Sequence, residues 1–202
     1  DHAVTSVDGD PTTFSTRAFG DADSTRVIVV CIGEGPTAGA LTISSVTIGG
    51  VAATSIIEVN NGTERAAIYA AAVPTGTTGD VVIDWSGSAS AVKVDIHALY
   101  NCSITPTDSG SSTASTGTFD IDCVANGIII GFQFSRNNTD VTHTWAGITE
   151  NAGSDEVVES ASWQGCSASQ QFATAQTNLT CSCTPSGANI RTAFVIASFP
   201  PA

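Results

Sequence analysis

The residues of this chain that could do chemistry are three histidines, six cysteines, nineteen carboxylates and a large stock of hydroxyls. Nucleophilic catalysis needs a serine or cysteine beside a histidine that a carboxylate orients. No Gly-x-Ser-x-Gly elbow is present, and His2, His97 and His143 lie far apart, so no catalytic residue is singled out and the chain reads as a non-enzyme. His97 falls in the alternating segment Val92–Tyr100, with Val92, Val94, Ile96 and Ala98 on one face and Lys93, Asp95, His97 and Leu99 on the other. That pattern predicts a partly exposed strand histidine beside Asp95. His143, two residues before Trp145, is expected on the same strand face as that tryptophan.

Carboxylate pairs occur at Asp8-Gly9-Asp10, Asp21-Ala22-Asp23, Asp120-Ile121-Asp122 and Asp155-Glu156. Such pairs suit calcium, but no Asp-x-Asp-x-Asp-Gly loop is present, so solvated acidic loops and no cofactor are expected. No two carboxyls stand out as a glycosidase pair. Cys31, Cys102, Cys123, Cys166, Cys181 and Cys183 admit fifteen full pairings. A disulfide, buried free thiols and, as the weakest reading, a metal site are the alternatives; no Cys-x-x-Cys knuckle or nearby histidines favour the metal. Cys102 and Cys123 flank the mid-chain stretch and are the expected bridge. The thiols of Cys181-Ser182-Cys183 are expected on opposite faces, one in the core and one outward. Among the aromatics, Trp163 beside Gln164-Gly165-Cys166 is expected to be exposed, and with Tyr100 it forms the candidate ligand-contact pair. Trp145, matched with Ile48, is expected in the core.

These side chains must be positioned by strands. The chain repeats itself at an offset of about a hundred residues: Arg26–Cys31 returns as Gly127–Phe132, Val46–Val51 as Thr144–Ile148, Ser55–Glu58 as Glu156–Glu159, and Val92–Tyr100 as Ile190–Phe199. Period-two alternation predicts strands over Thr13–Phe19, Arg26–Ile32, Leu41–Ile48, Ala53–Val59, Arg65–Val73, Asp80–Trp85 and Val92–Tyr100. A second set covers Gly117–Val124, Ile128–Phe134, Thr142–Ile148, Val157–Ser162, Gln170–Ala175, Leu179–Cys183 and Ile190–Phe199. Turn chemistry at Gly33-Glu34-Gly35-Pro36, Gly49-Gly50, Asn61-Gly62, Asn137-Asn138 and Pro185-Ser186-Gly187 separates them.

Strands without helical crossovers imply antiparallel sheets whose apolar faces cover one another. The expected fold is an all-β, jelly-roll-like antiparallel sandwich: one domain over residues 1–202, with halves at about 13–101 and 117–199 and a loop at 105–117. Two tandem immunoglobulin-like domains are the alternative. Residues 1–13, weakly patterned and without a matched strand in the second half, are expected to form an assembly arm outside the core.

Only 12% of residues are charged, the net charge is −13, and serine with threonine make up about a quarter of the chain. One lysine, Lys93, and five scattered arginines cannot neutralise a phosphate backbone, so nucleic acid is excluded as a partner, and anionic membranes are disfavoured. No apolar run reaches membrane-spanning length, so no membrane insertion is expected. A start at Asp1-His2 and the lack of methionine suggest a processed product whose leader is gone.

The run Val46-Thr47-Ile48-Gly49-Gly50-Val51-Ala52-Ala53-Thr54 with Ala67–Gly76, and Thr144–Glu150 with Ala193–Phe199, resembles the two halves of a β-module found in bacteriophage virion proteins and secreted bacterial surface proteins. The resemblance rests on turn and core residues and spans nearly the whole chain; the six cysteines are not part of it. It implies a structural protein on a virion or extracellular surface: a phage decoration, fibre or tail-associated protein whose partners are copies of itself and other virion or surface proteins. A carbohydrate-binding or adhesive module of a secreted bacterial protein, with glycans as ligands, is the alternative.

Overall fold

The computed structural model describes residues 1–5, 9–35, 41–62, 64–137, 141–158, 163–187 and 189–202. Seventeen strands and no helix occur among them. The first half holds β1 (His2–Thr5), β2 (Thr12–Ala18), β3 (Val27–Glu34), β4 (Ile43–Ile48), β5 (Val51–Ala52), β6 (Thr54–Asn61), β7 (Glu64–Ala72), β8 (Thr78–Trp85) and β9 (Val92–Leu99). The second holds β10 (Asp108–Ser112), β11 (Gly117–Cys123), β12 (Ile128–Asn137), β13 (His143–Ala146), β14 (Glu156–Val158), β15 (Trp163–Gln171), β16 (Gln176–Pro185) and β17 (Asn189–Phe199).

Every ladder is antiparallel, and each half completes two sheets from its own strands. The first half forms an inner sheet in the order β1-β9-β3-β7-β6 and an outer sheet β2-β8-β4-β5. The second repeats the inner order as β10-β17-β12-β15-β14 and the outer one as β11-β16-β13, with no counterpart of β5 among the described residues. The sequence repeat is therefore a repeat of topology, with β3, β4, β6 and β9 answered by β12, β13, β14 and β17. The two inner sheets pack on each other with β6 against β10 and β17, β3 and β7 against β12, and β1 against β14. The contact is reciprocal, each half using the same face, as in a two-fold dimer interface.

Three cores result. Ile28, Val30, Ile32, Val81, Ile83 and Trp85 fill the first sandwich, and Ile121, Ile129, Cys181, Cys183, Phe194 and Ile196 the second. Between the inner sheets lie Val27, Val29, Ile68, Phe132, Phe134, Val195 and Phe199. An inner strand is covered on both faces, so β3 is buried at all eight positions, the near-continuous apolar pattern of a doubly covered sheet. The outer strand β11 keeps an in/out alternation along most of its length. Gly33 leaves the space that the Phe134 ring occupies, and Gly165 the space for the Lys93 stem; a Cβ at either would collide.

One end of the first sandwich is tied by Arg26, 1% exposed. Its guanidinium donates to the carbonyls of Val73 (2.8 Å), Asp21 (2.7 Å), Gly20 (3.0 Å), Thr75 (2.9 Å) and Gly76 (2.8 Å). Two loops are thereby satisfied by a single cation, which keeps their backbone acceptors from being stranded.

Several expectations change. Residues 1–5 and 9–13 are not an arm: β1 pairs with β9, Gly9 bridges to Ala89, and Thr12 is buried. β1 corresponds to β10, which lies within the stretch read as a loop. β15 begins at Trp163 and not at Gln170, because the Ser/Gly-rich run masks a strand held by β12. Cys181 and Cys183 are both fully buried, since residues two apart in a strand share a face. Trp145 pairs with Cys183 as Val46 pairs with Ile83, so its counterpart is Val46 and not Ile48; it is half-buried against Phe194. Asp8, Pro36, Asn138 and the expected strand end at Glu159–Ser162 lie outside the described residues.

Residues 1–104 expressed alone should self-associate or aggregate, because separation bares the apolar face of Val27, Val29, Ile68 and Leu99. The full chain should unfold in one transition, and Phe132→Ala should lower its stability by about 3–5 kcal/mol. Calorimetry and size-exclusion chromatography read both; a folded, monomeric 1–104 fragment would contradict this cooperative behaviour.

Candidate functional site

Polar side chains converge in the seam between the inner sheets. The face of β9 expected to meet solvent instead meets β15, so Lys93 is 0% and Asp95 2% exposed. Lys93 Nζ lies 2.7 Å from Asp95 Oδ1 and 3.0 Å from Glu156 Oε2, and His2 Nε2 lies 3.3 Å from Glu156 Oε1. Burial pushes the Asp95 carboxyl up, against the pull of Lys93 and a hydrogen bond from Ser167. His97 is half-buried, as its strand position led one to expect; loss of solvent around its ring pushes it down to about 4, and its buried Nε2 has no hydrogen-bond partner among the described residues. A cavity of about 200 Å³ opens here, lined by His2, Asp95, His97, Asn151, Ser154 and Ser167 among others.

The pseudo-two-fold makes this polar set stand out. Lys93, Asp95 and His97 pair with Gly33, Cys31 and Val29 as Ala193, Val195 and Ala197 pair with Phe134, Phe132 and Ile130. The equivalent end of the seam is therefore alanine and valine against Ala66, Ile68 and Ala70 of β7, and apolar. This polar set is therefore present at one end of the duplicated interface and has no counterpart at the equivalent positions of the other.

A second cluster adjoins the first through Ser154, whose hydroxyl donates to the Ser167 carbonyl (2.9 Å) and lies 3.6 Å from Cys166 Sγ. Asp155 accepts from the His143 backbone N–H (2.9 Å) and lies 2.8 Å from His143 Nδ1; Ser135 Oγ lies 3.1 Å from Nε2. Burial alone would raise Asp155, but the His143 hydrogen bonds outweigh it and hold the carboxyl low. Ser135, His143 and Asp155 thus form a hydrogen-bonded chain with the connectivity of a serine-hydrolase triad. Ser135 is 0% exposed, and neither it nor His143 lines the seam cavity or the apolar hollow of about 240 Å³ at Tyr100. The His143–Asp155 hydrogen bonds hold the loop before β14 against β13. Trp145 Nε1 donates to Cys166 Sγ at 3.1 Å, and one donor atom each from His143, Asp155 and Cys166 lie within 4.8 Å of one another.

The residues singled out from the sequence fall elsewhere. All six cysteines are free thiols. Cys102 packs on the core between the inner sheets and Cys123 in the second sandwich, on opposite faces of one sheet, so the expected bridge is not formed. Trp163 is 9% exposed and belongs to the central core, with Arg136 5.7 Å from its ring, because β15 and not a turn carries it. Tyr100 is exposed at 39%, donates to the Asp21 carbonyl, and stands without the tryptophan expected beside it. Of the carboxylate pairs, Asp23 caps its own turn at Thr25, Asp120 accepts from Thr180, and Asp122 accepts from the Asn178 N–H. Asp155 and Glu156 separate, one to each cluster. The seam was hidden in sequence because alternation marks a polar face without saying what covers it.

Compared with known proteins, the chain matches no family model, no curated protein and no solved structure. No helix among the described residues is long and apolar enough to cross a membrane.

Two measurements probe the clusters. His97 titrates near 4 when folded against an ordinary 6.5, so the unfolded chain binds the extra proton between those values. Its contribution to stability is present above pH 6.5 and falls away towards pH 4, by about 3 kcal/mol at most. Asp95, shifted upward, works in the opposite sense, so the readout is the difference between wild type and His97→Gln; parallel pH profiles would contradict the burial. In a thiol-labelling experiment the native protein should expose no more than Cys102, and the denatured protein all six. Peptide mapping that returned a Cys102–Cys123 bridge would overturn the layer assignment.

Proposed function

We propose that the protein is a non-enzymatic structural module displayed on a particle or cell surface, in the manner of a phage virion decoration, fibre or tail-associated protein. The carrying observation is the duplicated strand order. β1-β9-β3-β7 over β2-β8-β4-β5, and its echo in the second half, support the jelly-roll type, an architecture of viral capsid and lectin domains. That is an argument from architecture, and the chemistry supports it separately. The reactive side chains lie between layers, while the outer faces present exposed hydroxyls and carboxylates such as Thr13, Ser45, Asp84, Thr118, Asp120 and Thr180. The outer sheets have blunted edges, with β5 only two residues long and bulges in β2 and β11, which favours contact through faces over strand addition.

Copies carrying a net charge of −13 repel one another, so self-association should strengthen as salt screens that repulsion. Light scattering and electron microscopy of the full-length protein across a salt series should find ordered oligomers or decorated particles. A strictly monomeric chain that binds a defined sugar on a glycan array would replace this reading with the carbohydrate-binding one.

A further inference from the structure

We propose that Cys166, His143 and Asp155 bind a zinc ion at one end of the second sandwich, with the Glu150 carboxylate at the fourth position. The donors come from three separate segments, β15, β13 and the loop before β14, and one atom of each lies within 4.8 Å of the others. A thiolate, an imidazole and carboxylate oxygens are a zinc set; the sulfur disfavours calcium and magnesium, which take oxygen ligands. The Glu150 carboxylate accepts from the Cys166 thiol and so stands beside the site.

The surroundings match what holds metal ligands in place. Trp145 Nε1 at 3.1 Å and the Ser154 hydroxyl at 3.6 Å lie at the Cys166 sulfur, the positions from which N–H and O–H groups support a bound thiolate. The His143 backbone N–H takes Asp155 Oδ2, leaving Oδ1 for the ion. Ser135 Oγ lies 3.1 Å from His143 Nε2 and can accept a hydrogen bond from Nε2–H, freeing Nδ1 as the ligand. On binding, the Cys166 thiol gives its proton to solvent and the single imidazole proton resides on Nε2.

An independent observation points to the same place. Gln133 is 0% exposed, and neither its amide oxygen nor its amide nitrogen has a hydrogen-bond partner among the described residues. It is the cross-strand partner of Cys166, on the same face of the sheet as Ser135. A buried amide with both ends unpaired is costly, and a metal-bound group beside it would supply what it lacks. In the first half the corresponding pair is Ile32 and Ala67, both apolar. The ion would clamp the loop before β14 to both sheets of the second sandwich, beside the seam cavity.

The test uses the full-length protein, stripped with a chelator and titrated with zinc, and separately with cobalt as a spectroscopic probe. One ion per chain is expected, with a thiolate-to-cobalt charge-transfer band. Cys166→Ser should abolish that band, His143→Gln should abolish tight binding, and Cys102→Ser in the central core should change neither. Ser135 is a positioning residue, and Ser135→Ala should weaken zinc binding by about 10- to 100-fold while the charge-transfer band persists at saturation. Should the Cys166 variant fail to fold, X-ray absorption of the wild-type zinc complex decides, one sulfur scatterer being expected. Failure of the wild type to bind one zinc, a coordination shell without sulfur, or a band that survives Cys166→Ser would overturn the proposal.

Discussion

Two five-stranded sheets pressed face to face are the constraint on which the rest of this protein depends. A sheet covered on both sides has no solvent face on which to place polar groups, so β3, β7 and β17 lose the alternation that marks an ordinary sandwich strand. Close approach of the sheets then demands small residues opposite large ones. Gly33 yields to Phe134, and Ala66, Ala70, Ala193 and Ala197 make up much of the rest of the contact. The outer sheets, free of that demand, carry the hydroxyls and acids that keep the surface in water.

Because the two halves meet through equivalent faces, the arrangement is that of a two-fold dimer fused into one chain. The symmetry is kept in strand order and broken in chemistry. At one end of the seam Lys93, Asp95 and Glu156 form a buried charged set, and at the other alanines and valine pack against each other. A buried ion pair adds little net stability compared with apolar packing, whereas breaking one is costly. Lys93 and Glu156 join the two inner sheets across the seam, as Arg191 and the buried Glu64 do elsewhere along it.

Much of the fold was legible because strand chemistry is local. The echo of Arg26–Cys31 in Gly127–Phe132 and of Val92–Tyr100 in Ile190–Phe199 marked true equivalents, since β-branched runs and their turns reflect backbone preference within a few residues. β1 and β10 escaped because each is short, and the second is built of Asp, Ser and Gly, which carry little strand preference. Their place is set by the edge of a neighbouring strand. Trp163 was read as a turn residue for the same reason: Gln164-Gly165-Cys166 looks like a turn until β12 supplies the ladder.

The sequence by itself determined that the chain is all β, antiparallel and duplicated, because alternation and turn residues act through nearest neighbours. It also placed Lys93, Asp95 and His97 on one strand face and His143 on the face of Trp145. Only the tertiary structure decided what covers those faces. The polar side of β9 is buried by residues some seventy positions later in the chain, and Ser135, His143, Asp155 and Cys166 meet because β12, β13, β15 and the loop before β14 converge at one end of the second sandwich. Such meetings depend on how sheets stack. Stacking follows from the total apolar surface to be buried and not from any local pattern, so no spacing along the chain announces it.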